Sequence, residues 1–185
     1  MTQLDSPEPQ FIAGHPALDF VNTVAWRTDD ARRVERVTGV EEWILWAAKA
    51  GIDAPVQGAG GLTELRGALG EVLDALVDGV GPLPPGPWQE LSRAIVRARQ
   101  RADVPAELPL RWRPAGLDDA LALLAEELLA GPYLERIGRC QGPGCGWFYL
   151  DRTRAGNRRW CSSGDCGNRD RARRHYARSA QSSPR

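Results

Sequence analysis

The sequence predicts a mainly α protein of the α+β class: a helical N-terminal domain with a small β element, then a compact C-terminal module of one β-hairpin and one helix. Three observations predict it: five stretches with apolar residues at helical spacing, four cysteines gathered near the C-terminus, and a sharp division of charge along the chain. The expected boundaries are 1–131 for the helical domain, 132–179 for the cysteine module and 180–185 for a flexible tail. A chain of 185 residues accommodates such a pair, since domains cluster around ~100–150 residues and metal-stapled units are smaller.

The helical stretches follow in order. After a short extended piece, Phe11-Ile-Ala13, Pro16 suits the first position of a helix that carries Leu18, Phe20, Val21 and Val24. Asp19, Asn22 and Thr23 share a face of it. That polar trio either lines a small-molecule sensor pocket or hydrogen-bonds neighbouring backbone. Thr38-Gly-Val-Glu41 has capping-box spacing ahead of Trp43, Ile44, Ala47 and Ala48, with Gly51 as a stop. Helical spacing recurs over Thr63–Val77, Trp88–Arg101 and Leu117–Ala130, where Leu117, Leu121, Leu124 and Leu128 form the apolar stripe. A Pro/Gly loop, Gly81–Pro87, separates the first two of these. Leu108–Arg113 alternates enough for a short edge strand, because Pro109 bars a central one. No glycine-rich phosphate loop, nucleophile elbow or paired-histidine motif is present.

Charge divides before Arg136. Residues 1–135 hold 12 basic and 21 acidic residues, net −9, whereas 136–185 hold 12 arginines against Asp151, Asp165 and Asp170, net +9. An acidic body with a basic end is the pattern of a chain whose end meets a polyanion; mutual docking of the two halves is the alternative. No apolar run approaches the ~20 residues of a membrane span. The first ten residues lack the basic and apolar regions of a secretory signal. A cytoplasmic protein without a membrane partner is expected.

All four cysteines fall within 27 residues as Cys140-x4-Cys145 and Cys161-x4-Cys166, with fifteen residues between the pairs. Two short loops presenting two thiolates each match the logic of one structural zinc ion, so Cys140, Cys145, Cys161 and Cys166 are the expected ligands. Disulfides are the rival, disfavoured in a reducing compartment; an iron–sulfur centre or redox dithiol are the others. Trp147–Leu150 reads as a strand, and Arg158–Trp160 as its return partner across a turn. Cys166 then opens a helix running to about Ser179, capped by Asp165 or Ser163, with Ala172 and Tyr176 expected to face the hairpin. A closed four-sulfur shell leaves no position for substrate, so a catalytic role is not expected. His175, roughly 13 Å along the helix from Cys166, lies beyond ligand reach.

The same helix carries Arg169, Arg171, Arg173, Arg174 and Arg178, with Arg171, Arg174 and Arg178 on one face. With Arg158 and Arg159 these are the candidate nucleic-acid contacts, because guanidinium groups hydrogen-bond phosphates in pairs. A solvated basic helix is the bland alternative.

The string Arg158-Arg-Trp-Cys-Ser-Ser-Gly-Asp-Cys-Gly-Asn-Arg169 resembles the signature of the CGNR zinc finger family, and Cys140, Cys145, Phe148, Asp151 and Arg154 fit its upstream part. Leu18-Asp-Phe-Val-Asn-Thr23 and Trp46-Ala-Ala-Lys-Ala-Gly51 resemble stretches of the ABATE domain that precedes such fingers. The resemblance implies a treble-clef-like finger and a stress-related transcription regulator, with Asp170 a departure from the basic residue its relatives often carry. DNA is then the expected partner. An RNA-binding or protein-interaction module, with the N-terminal domain as a small-molecule sensor, is the alternative.

Overall fold

The computed structural model describes residues 2–79 and 81–181, the last two as backbone. Helix α1 (Pro16–Val21) leads into a two-residue hairpin, β1 (Val24–Ala25) with β2 (Val34–Glu35). The longer helices follow: α2 (Val40–Ala50), α3 (Gly60–Asp78), α4 (Pro85–Arg101) and α5 (Leu117–Ala130). A 3₁₀ turn (Leu134–Arg136) then gives way to β3 (Ile137–Arg139), β4 (Phe148–Leu150) and α6 (Cys166–Gln181).

Helices α3, α4 and α5 pack against one another, and α1 packs on α3 and α5. Leu18, Leu69, Leu73, Leu91 and Leu121 are sealed at their centre. Trp43 and Trp46 of α2 close one side against Phe20, with ring centroids 5.5–6.0 Å apart, spacings typical of tilted and edge-on aromatic pairs.

Most helical expectations hold, and the departures have physical causes. The α2 cap sits one residue later than its sequence spacing suggests: Glu42, not Glu41, accepts from the backbone N–H groups of Thr38 and Gly39, at 2.6 and 3.0 Å. Helix α4 begins inside the expected Pro/Gly loop, because Pro85 needs no N–H at a helix start. Leu124 is only half-buried, unlike Leu117, Leu121 and Leu128. Leu108–Arg113 forms no strand; a single bridge between Asp103 and Arg113 ties off the loop. Leu108 is 93% exposed and Leu110 60%, so this segment has no buried face to fix a register.

The largest correction concerns β4. Its partner is β3, with Ile137 opposite Leu150 and Arg139 opposite Phe148, rather than Arg158–Trp160. The other edge of β4 is already occupied. The Leu150 N–H donates to the Ala13 carbonyl at 2.7 Å, and the Asn22 amide mimics a strand by accepting from the Phe148 N–H and donating to its carbonyl, at 2.9 and 2.8 Å. With both edges filled, no backbone remains for a return strand.

Candidate metal centre and nucleic-acid interface

Strands β3 and β4 are joined through the Cys140–Cys145 loop, while Cys161 and Cys166 arrive from the second loop and the first residue of α6. All four sulfurs lie within 4.8 Å of one another, and all four cysteines are buried. Two sulfur pairs, Cys145 with Cys161 and Cys161 with Cys166, are separated by 3.7 and 3.5 Å. Disulfides are excluded at such distances, and the cysteines are free. A tetrahedral zinc with Zn–S of about 2.3 Å has an edge of about 3.8 Å, so the cluster has the size of a zinc site.

Chemistry points the same way. Contact with Cys145 holds the Cys140 thiol far below its ordinary value, while contact with Cys140 drives Cys145 and Cys161 far above theirs. Four sulfurs this close cannot all ionise side by side unless a cation lies between them, and a divalent metal removes that conflict. The loop is shaped for it. The Gly142 N–H donates to the Cys140 sulfur at 3.4 Å, and a Cβ at Gly142 would stand 2.9 Å from the Cys166 sulfur. The Arg169 guanidinium donates to that Cys166 sulfur at 2.9 Å, a charge-assisted contact that orients a ligand from outside the coordination shell.

The metal module is built into the body. Arg27 and Thr28 donate their N–H groups to the Cys145 and Gly144 carbonyls at 3.0 and 3.3 Å, and the Trp147 indole donates to the Val24 carbonyl at 2.8 Å. Phe148 and Leu150 belong to the main core, while Trp26, Trp147 and Tyr149 pack around the cysteines with Leu4. The Gln3 N–H donates to the Asp165 carboxylate at 2.9 Å, so that side chain fastens an N-terminal strap. The Arg169 N–H takes the Asp165 backbone carbonyl, which starts α6.

The expected site residues separate into groups. Asp19, Asn22 and Thr23 are buried with their polar atoms engaged. Asp19 accepts from the Ala13 N–H at 2.9 Å, Asn22 clamps Phe148, and the Thr23 hydroxyl donates to the Phe20 carbonyl while accepting from Arg66. Of the two readings of this trio, the geometry supports backbone anchoring. Arg158 is likewise structural: it donates to the Trp160, Leu150, Ile12 and Cys161 carbonyls and lies 4.4 Å over the Tyr149 ring. Arg169 is occupied by the Cys166 sulfur and Asp165.

Arg159, Arg171, Arg173 and Arg174 are exposed, as is Arg178. Asp170 is buried and pairs with Arg173 and Arg174 at 2.8 and 2.9 Å. Ala172 and Tyr176 do not face the hairpin. Residues 171–179 are exposed all round, because α6 leaves the body after Asp170 and meets no surface that would receive an apolar face. Sequence reasoning missed Arg27, Arg36 and the clamping role of Asn22, whose partners lie up to 126 positions away with no local signal.

A tetrathiolate zinc finger of hairpin and helix, fused edge-on to a helical body, is the class that this arrangement defines. Residues 136–179 match the family model of the CGNR zinc finger, and residues 14–132 match that of ABATE, described as "Putative stress-induced transcription regulator". The chain belongs to the ABATE family and carries a CGNR zinc finger after that domain. The comparison with curated proteins finds no match.

Proposed function

We propose that this protein is a DNA-binding transcription regulator in which zinc fixes the root of α6 and the exposed part of that helix contacts the phosphate backbone. The observation that carries the reading is the projection of Arg171, Arg173, Arg174 and Arg178 on a helix exposed along 171–179. Arg159 stands beside it, 5.2 Å over Trp160. The ion pairs with Asp170 engage one side of Arg173 and Arg174, and a guanidinium has five N–H donors, so further donors remain for phosphate. The contact set is therefore Arg159, Arg171, Arg173, Arg174 and Arg178, with Arg158 and Arg169 positioning the finger. Zinc is structural in this reading, its four positions filled by sulfur, and the protein is not an enzyme. The family description as a stress-induced regulator supports the same role. Among the described residues no helix is long and apolar enough to cross a membrane.

Fluorescence anisotropy of the zinc-loaded protein with random duplex DNA tests it. Affinity is expected to fall steeply with salt, and Arg171→Ala with Arg174→Ala is expected to lower the log–log salt slope by about two. Affinity absent at low salt, or indifferent to it, would reject the reading. Equal competition by single-stranded RNA would transfer the same helix to an RNA-binding role.

A further inference from the structure

A second cationic site lies on the finger, away from α6. Tyr133, Arg136, Asp151, Arg152, Thr153 and Arg154 line a concavity of about 530 Å³. It sits where β3 begins and β4 ends, with the Asp151 N–H donating to the Arg136 carbonyl at 2.8 Å. The cysteine loop is at the opposite end of that hairpin, about 10 Å away at about 3.3 Å per residue.

The pocket is shaped before any ligand arrives. The Arg136 guanidinium donates to the Thr153 carbonyl at 3.2 Å and Arg152 donates to the Gly14 carbonyl at 2.7 Å. Gly156, at φ 61°, turns the loop back over Arg136, where a Cβ would approach its Nη1 to 2.8 Å. None of Arg136, Arg152 and Arg154 enters an ion pair among the described residues, and Arg154 makes no hydrogen bond there either. The one acid in the lining is engaged: Asp151 accepts from the Thr153 N–H, the Thr153 hydroxyl and the Arg158 N–H at 2.6–2.8 Å. Tyr133 is 61% exposed at the rim. Three guanidinium groups against the single Asp151 carboxylate leave a net positive fork suited to phosphate, and an open aromatic face beside them suits a planar base.

We infer that Arg136, Arg152 and Arg154 form a phosphate-binding pocket, with Tyr133 stacking on the base attached to that phosphate. The volume accommodates a mononucleotide, and the same chemistry is offered by one residue of a nucleic-acid strand. The site is independent of the α6 reading: it survives if α6 binds nothing.

Calorimetry on the full-length zinc-loaded protein with ADP and with inorganic phosphate, beside anisotropy with duplex DNA, tests it in the wild type, Arg154→Ala, Arg154→Glu and Tyr133→Ala. Arg154 makes no hydrogen bond or ion pair among the described residues, so circular dichroism and zinc content should be unchanged in its variants. A free-nucleotide source gives saturable ADP binding, about tenfold weaker in Arg154→Ala, with Tyr133→Ala weakening ADP more than inorganic phosphate. A nucleic-acid source gives no ADP binding, but a loss of duplex affinity in Arg154→Ala and a larger loss in Arg154→Glu, additive with changes on α6. No saturable binding of ADP or phosphate, with Arg154→Glu leaving duplex affinity within twofold or with no duplex affinity to change, overturns the inference.

Discussion

Tyr149 and Tyr176 belong to the same finger, yet one is 3% exposed and the other 73%. The inner side of the finger, from Trp147 to Leu150, is finished like the middle of a domain: packed on both faces, paired on both edges, with Asn22 and Ala13 supplied by the body. Its outer side, α6 from Arg171 to Ser179, is exposed along its length, with the Arg171 guanidinium reaching back to the Ser163 carbonyl at 3.0 Å. The residue type of the two tyrosines is the same, and what differs is what the rest of the chain brings to each. Burial stabilises the inner side. The outer helix is held at its first turn, by the metal loop and Asp165, and thereafter by its own hydrogen bonds and by i,i+3 and i,i+4 ion pairs at Asp170, worth only a few tenths of a kcal/mol each. A helix secured at one end needs a partner, or cooperation from its own turns, to stay ordered.

The strongest attempt to break this comparison is Cys161→Ser. Zinc should be lost and α6 should melt, but the body should also lose upwards of about 4 kcal/mol, since Phe148 and Leu150 are part of its core. Metal stoichiometry with denaturant unfolding followed by tryptophan emission would reveal it; a body that unfolds as before would show the inner side to be separable. Next is Asp19, which holds the Ala13 segment against β4. Burial raises its carboxyl from 3.8 to about 6, so the folded state holds that proton more tightly than the unfolded chain. Its contribution to stability is therefore greatest below pH 4, declines as pH rises towards 6, and is a full penalty of about 3 kcal/mol above that. Asp19→Asn should flatten this segment of the stability–pH curve and stabilise the protein at pH 7 relative to pH 4, judged against wild type by urea unfolding.

Asn22→Ala strands the Phe148 N–H and carbonyl and should cost about 1–3 kcal/mol, with faster amide exchange at Phe148 and Leu150 as the local signature. Tyr176→Ala should change stability by less than about 0.5 kcal/mol. A large loss there would mean that the outer helix does pack, and the contrast between the two tyrosines would fail.

What the sequence disclosed, and what it withheld, follows the same division. The zinc ligands and the limits of α5 are written in spacing alone, over fewer than thirty residues, and local patterns of that kind need no knowledge of distant partners. The partner of β4 was not legible, because Trp147–Leu150 and Arg158–Trp160 satisfy hairpin rules equally well until Asn22 and Ala13 take the free edge from more than 120 residues away. Ala172 and Tyr176 misled for a related reason: helical spacing states which residues share a side, not whether anything stands opposite. Arg158 and Arg169 showed the reverse error. Both count as cations in the sequence, and both are spent inside the structure, on carbonyls and on a sulfur. The slip from Glu41 to Glu42 at the α2 cap is a one-position shift that adjacent glutamates cannot resolve by pattern.

The pairing of Arg169 with the Cys166 sulfur has an electrical consequence. Four thiolates around Zn²⁺ carry two negative charges too many, which would repel a polyanion arriving at α6. Arg169 stands at one of those sulfurs, and Arg36 is buried near Cys145, 5.0 Å over the Trp147 ring. Both lie between the ion and its surroundings as internal counter-charges. A bound metal would thereby be quenched from within, and a phosphate approaching α6 would sense a field set by the outlying guanidinium groups rather than by the cluster that holds them in place.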